Sequence, residues 1–146
     1  DIVRAIRAST APKVYVINVA TQTGETDHFT ALDHVDVIDR QLGPEVLDAV
    51  LVNSNTASAD AIGPDLAIDP VLPDSLDRLD PRIRVLDRDV ISSQNPLRHD
   101  PEKLAAVLLE LANGKWHDSA FADTIQQTRL ERAFRRDLAV AGNVRE

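Results

Sequence analysis

The chain has 146 residues, 43% of them hydrophobic, and a formal net charge of −8, which fits one domain with an ordinary packed core. It holds no cysteine, so a disulfide framework and a thiolate metal site are both excluded. No apolar run approaches the roughly 20 residues that a membrane span needs, and the opening DIVRAIRAST lacks the apolar stretch of a signal peptide. The acidic balance argues against a nucleic-acid binder, which usually carries a basic face. It leaves room for a phosphorylated small molecule, because a few arginines and helix N-termini can hold phosphate inside an acidic protein. A cytoplasmic protein without nucleic-acid or membrane partners is the expectation.

The sequence opens at Asp1 without methionine and enters a helical pattern within a few residues; a fragment or processed product is expected. Val14–Val19 (VYVINV) is a β-branched apolar run, the pattern of a strand buried on both faces in a parallel sheet. Thr30 and Asp33 then form a capping-box pair at a helix start. Leu32, Val35, Ile38 and Leu42 recur at helical spacing behind it, and Gly43-Pro44 stop it. Val50–Val52, preceded by Leu47 and Ala49, is a second strand.

Residues 54–81 are rich in Asp and contain Pro64, Pro70, Pro73 and Pro81. They read as a loop excursion with short helices near Asp60 and Leu76. Ile83–Leu86, extending towards Ile91, is a third strand. Asp100 and Pro101 open a helix that runs to Asn113, with Leu104, Val107, Leu108 and Leu111 as its buried stripe and Gly114 as its stop. A last helix over 119–140 carries Phe121, Ile125, Phe134 and Leu138, and a basic face of Arg129, Arg132, Arg135 and Arg136. That face is a solvated surface or a contact with another subunit or acidic partner; a homo-oligomer is expected.

The order strand–helix–strand–loop–strand–helix–helix predicts an α/β fold, a Rossmann-like, mostly parallel sheet with flanking helices. Three strands make a small sheet, so residues 1–146 are expected to be the C-terminal half of a larger doubly wound domain. Ligands of such sheets bind at the carboxyl ends of the strands. Three polar segments follow the predicted strand ends: residues 21–27 (TQTGETD), residues 53–56 (NSNT), and the stretch from Asp87 to His99.

In the first segment Gly24 permits close backbone approach or a positive φ. The hydroxyls of Thr21, Thr23 and Thr26 and the amide of Gln22 can donate to phosphate or sugar oxygens, with Asn18 fixing the loop. The plainer alternative is a polar strand-to-helix turn that satisfies its own backbone. Arg98 and His99 precede a helix N-terminus, which attracts anions, and Arg98 can grip a phosphate in bidentate fashion. His28 and His34 lack the spacing of a helical metal pair, so no transition-metal site is expected. A weak Mg²⁺ held jointly by a carboxylate and ligand phosphates stays open. No Walker loop, GxGxxG or GxSxG motif is present, and any aromatic face for a base would have to come from Phe29 or from residues outside the chain.

Residues Asn18–Phe29 (NVATQTGETDHF) resemble the N-x-x-T-Q-x-G-E-T stretch of the YvcK/CofD-like family of gluconeogenesis factors and 2-phospho-L-lactate transferases. The similarity continues through Thr30–Val35, the strand DAVLVN at Asp48–Asn53, and RHDP at Arg98–Pro101 with Lys103-Leu104. It spans about residues 1–113. Ala20 stands where many members have methionine, and the family's Gly-rich loop and P-G-S-x-x-T-S segment are not in this chain. The resemblance implies that the chain is the C-terminal part of a single CofD-like domain and that Asn18, Thr21, Gln22, Gly24, Glu25, Thr26, Asn53, Arg98 and His99 contribute to ligand binding. It implies no catalytic residue here. The YvcK-like branch, which the TQ-x-GET string favours, points to a regulatory protein of carbon metabolism and cell shape that binds UDP-sugars such as UDP-N-acetylglucosamine. The CofD branch points to a transferase of deazaflavin-coenzyme biosynthesis.

Overall fold

The computed structural model describes residues 1–55 and 68–113. The proposed short helix near Asp60 and the final helix over 119–140 lie outside the described residues. Helix α1 (Ile2–Ala8) is capped by the Asp1 carboxylate, which accepts from the Val3 amide. It leads to strand β1 (Val14–Val16), helix α2 (Ala31–Leu42) and strand β2 (Ala49–Asn53). A 3-10 helix (Pro73–Arg78), strand β3 (Arg84–Arg88) and helix α3 (Pro101–Ala112) follow.

The sheet is parallel in the order β1-β2-β3, so all three carboxyl ends share one edge. Every residue of the central strand β2 is buried, which is why its sequence is continuously apolar rather than alternating. Successive residues still serve opposite faces. Val50 and Val52 pack with Ile17, Val35, Val71 and Leu76 beneath α2 and the 3-10 helix. Ala49 and Leu51 pack with Leu86 and Val90 against Leu104, Val107 and Leu111 of α3. Helices therefore cover both faces, the α/β architecture that the sequence predicts.

Helix α2 begins where its capping box sets it. Thr30 Oγ1 accepts from the Asp33 amide, and the Asp33 carboxylate accepts from the Thr30 amide at 2.8 Å. The Thr30 hydroxyl also donates to that carboxylate at 2.6 Å, and the Thr30 hydroxyl and amide together hold the Asp33 carboxyl below the usual carboxylate range. A further first-turn donor, the Leu32 amide, is met by Ser75 Oγ of the 3-10 helix at 3.0 Å. At the other end Gly43 takes a φ of 85°, and Arg7 of α1 donates to the Leu42 carbonyl at 2.6 Å. Orphan groups at both ends of α2 are thus satisfied by side chains of neighbouring elements.

Three expectations about element limits need correction. The first strand ends at Val16 rather than Val19, because the Ile17 carbonyl is taken by His99 and the Val19 carbonyl by the Val71 amide. The third ends at Arg88; Ile91 makes only an isolated antiparallel bridge to His99. On α3, Leu108 is exposed, and the stripe facing the sheet is Leu104, Val107 and Leu111.

Candidate ligand cleft at the strand ends

The chain leaving β1 does not turn directly into α2. Val19 and Thr21 first pair with the segment that follows the loop excursion, through Val71 N–H to the Val19 carbonyl (3.0 Å) and Thr21 N–H to the Asp69 carbonyl (2.9 Å). The Thr21 hydroxyl accepts from the Asp69 amide at 2.8 Å. This clasp brings Ile68 to the strand end. The cleft beside it, about 710 Å³, is lined by Asn18 to Gln22 and Ile68 on one side and by Asn95, Leu97, Arg98 and His99 on the other. That volume lies in the range of small-molecule sites.

The opposite wall is a run of local turns. Ser92 Oγ accepts from the Gln94 and Asn95 amides, and Asn95 Oδ1 accepts from the Leu97 amide. Arg98 N–H donates to the Asn95 carbonyl, and its own carbonyl accepts from Ser92 N–H. The Arg98 guanidinium is exposed and has no partner among the described residues. Its neighbour Lys103 is committed: Nζ donates to the Asp89 carboxylate at 2.9 Å and to the Ile91 carbonyl at 3.0 Å. That bond holds the Asp89 carboxyl below its usual range. Arg98 is therefore the cation this wall offers to an anion.

His99 is half-buried. Its Nε2 lies 3.1 Å from the Ile17 carbonyl; a carbonyl only accepts, so Nε2 carries the proton. Burial lowers the imidazole pKa and outweighs the opposing effect of that hydrogen bond, so the ring is neutral at neutral pH. The expected anion hook at the α3 N-terminus is already occupied, since Asp100 Oδ1 accepts from the Glu102 and Lys103 amides.

Of the residues proposed from sequence, the structure gathers Asn18, Thr21, Gln22, Arg98 and His99 around one cleft. Thr21 is 4% exposed and its hydroxyl already accepts within the clasp. Gly24, Glu25, Thr26 and Asn53 do not line the cleft. Gly24 takes a φ of 83° with nothing within 4 Å of where a Cβ would lie, so its role is conformational, with its amide donating to the Asp27 carboxylate at 2.9 Å. Thr26 Oγ1 accepts from the Gln22 amide, and the Gln22 carbonyl accepts from the Glu25 and Thr26 amides; the segment is a turn that satisfies its own backbone. Asn53 is buried. Its Oδ1 accepts from the Asn55 and Val90 amides, and its Nδ2 donates to the Asn55 carbonyl, tying the ends of β2 and β3 together.

Phe29 stands edge-on to His34, ring centroids 5.4 Å apart, and does not line the cleft. Asp69 was not signalled by sequence: it sits in an Asp-rich loop and meets Thr21 only through the fold, while its carboxylate also meets His28 Nδ1 at 3.0 Å. Among the described residues no group of three or more His, Asp or Glu side chains could hold a metal ion. No described helix is long and apolar enough to cross a membrane.

The CofD profile, described as 2-phospho-L-lactate transferase CofD, matches residues 1–115. The chain belongs to the CofD family. Within the CofD family it is similar to proteins named as gluconeogenesis factors. It is 38% identical over 122 residues to a putative gluconeogenesis factor of Nostoc sp., covering 80% of this chain and 27% of that protein. It is 36% identical over 108 residues to the gluconeogenesis factor of Listeria monocytogenes, covering 73% and 33%. The Bacillus subtilis gluconeogenesis factor is 34% identical over 105 residues, covering 69% and 33%. A crystal structure of a UPF0052-family protein from Bacillus halodurans superposes with a TM-score of 0.63 at 34% identity, over 75% of this chain and 36% of that one. The chain thus spans about a third or less of these relatives.

Proposed function

We propose that the cleft between Asn18–Gln22 and Asn95–His99 is one wall of a site for a phosphorylated ligand, a nucleotide-sugar of the UDP-N-acetylglucosamine kind. In this reading the protein is a regulator of carbon metabolism and cell shape. The observation that carries it is the Arg98 guanidinium, without a partner among the described residues, on a cleft that opens at the strand carboxyl ends. Arg98 would pair with a phosphate, while the side-chain amides of Asn18 and Gln22 would meet sugar or base oxygens across the cleft. Relatives named gluconeogenesis factor favour regulation of carbon metabolism over catalysis. Calorimetric titration of the full-length protein with UDP-N-acetylglucosamine tests this, and no heat at millimolar ligand sinks it.

A second reading, transfer of a nucleotide-activated group to or from 2-phospho-L-lactate, is favoured by the family profile's own description. The same cleft would then hold the phosphorylated hydroxy acid or its activated partner. Incubation with 2-phospho-lactate and an activated nucleotide, followed by mass spectrometry, separates the two readings. Product formation selects the transferase; tight UDP-sugar binding without turnover selects the regulator.

A further inference from the structure

In a parallel ladder, a residue facing its neighbour strand donates its N–H to one carbonyl and offers its own carbonyl to the amide two residues further along the partner. Ile17 N–H donates to the Leu51 carbonyl at 2.9 Å. The next rung would bring the Asn53 amide to the Ile17 carbonyl. The ladder stops short of it: the last paired positions of β1 and β2 are Val16 and Leu51. The Ile17 carbonyl instead accepts from His99, 82 residues further on.

His99 can hold that carbonyl because its own backbone is fixed. It bridges Ile91. On either side, Ser92 N–H donates to the Arg98 carbonyl (3.0 Å) and Asp100 N–H to the Val90 carbonyl (2.8 Å). The imidazole therefore projects from a backbone anchored on the continuation of β3 and reaches the end of β1. Beyond Ile17 the chain no longer follows β2. It turns to the Asp69–Val71 clasp, and Asn18–Gln22 becomes the cleft wall that faces Arg98.

We propose that His99 is a positioning residue for this cleft: by taking the Ile17 carbonyl it ends the β1–β2 ladder one rung early and sets the Asn18–Gln22 wall opposite Arg98. The proposal rests on reading the cleft as a ligand site. His99 acts on the ligand through the strand end, and its Nε2–H is committed to the carbonyl whether the ring is neutral or protonated.

The test compares His99→Ala with His99→Gln in the full-length protein, since the glutamine side chain keeps an N–H donor of similar reach. Amide hydrogen exchange without ligand and calorimetry with UDP-N-acetylglucosamine are the two readouts. In His99→Ala, exchange at Ile17 and Thr21, whose amides donate to the Leu51 and Asp69 carbonyls, should quicken roughly tenfold, as expected for the loss of one hydrogen bond, while Val50–Val52 in β2 stay protected. Affinity should fall by a similar factor, and His99→Gln should recover most of both. Unchanged exchange at both Ile17 and Thr21 in His99→Ala overturns the proposal. So does a rise that extends equally to Val50–Val52, which would mark general destabilisation, or quickened exchange with full affinity. If the unsubstituted protein does not bind UDP-N-acetylglucosamine, the ligand reading fails on its own, and the exchange pattern still decides whether His99 sets the strand end.

Discussion

Replacing Thr21 by valine separates two roles that its sequence context allows. The hydroxyl accepts from the Asp69 amide at 2.8 Å, and the residue is 4% exposed. Valine has nearly the same shape, so the packing survives and only the acceptor is lost. A typical hydrogen bond contributes about 0.5–1.5 kcal/mol net, and a buried donor left without a partner costs about 1–3 kcal/mol. The clasp retains two backbone bonds, Thr21 N–H to Asp69 and Val71 N–H to Val19, and Asp69 is solvent-exposed, so water can meet its freed amide in part. The expected loss is therefore in the lower half of that range, about 1–2 kcal/mol. Urea denaturation should show a lower midpoint with an unchanged m value, and the Asp69 amide should exchange faster. An unchanged midpoint together with a roughly tenfold loss of ligand affinity would refute this account. The hydroxyl would then be a ligand donor, and the clasp would not depend on it.

Arg98→Ala should weaken binding of a phosphorylated ligand by about 1–3 kcal/mol without moving the denaturation midpoint; unchanged affinity in calorimetry would remove Arg98 from the site. Thr30→Ala breaks the capping box of α2 and should cost about 1 kcal/mol, read as a lower thermal midpoint. Burial lowers the His99 pKa, so below the unfolded value of about 6.5 the unfolded chain binds a proton that the folded chain resists. The stability this residue contributes is fully present above that pH and is lost as pH falls below it towards the depressed folded pKa. His99→Gln should flatten this part of the acid limb of a stability–pH curve, and an unaltered limb would show that other groups set it.

What the sequence disclosed depended on how local each interaction is. The capping box of α2 spans four residues, and the buried run of β2 needs only its own apolar content; both are legible as patterns and both are present. The shared edge follows from parallel strands, and the polar segments after β1 and β3 do meet there. The partners within that edge were not legible, because they are set by the fold and not by spacing. Thr21 and Asp69 are 48 residues apart, and His99 and Ile17 are 82 apart. No pattern links either pair. The strand limits were overrun for the same reason: apolar character continues through Ile17 and Val19, while their carbonyls are claimed by His99 and Val71. At α3, the sequence identified Asp100 as the cap and also treated the helix start as an anion site. These are alternatives, since a carboxylate bonded to the Glu102 and Lys103 amides is itself the anion.

The cleft can recognise fewer groups than its polar sequence suggests. Polar side chains in a loop first satisfy the backbone around them, and here Thr26, Asn53 and Asp100 do so. Thr21 adds its hydroxyl to the clasp. The wall is left with Asn18 and Gln22 facing Arg98, a set that can orient one anionic group and a few hydroxyl or carbonyl oxygens. A diphosphate carries more negative charge than one guanidinium neutralises, and Lys103 is held by Asp89. The nucleotide-sugar reading therefore requires a second positive contribution from outside the described residues, from a further side chain or from Mg²⁺ brought with the ligand. Titrating the full-length protein with and without Mg²⁺ distinguishes these sources: affinity that survives chelation assigns the second charge to a side chain, and affinity lost on chelation assigns it to the ion.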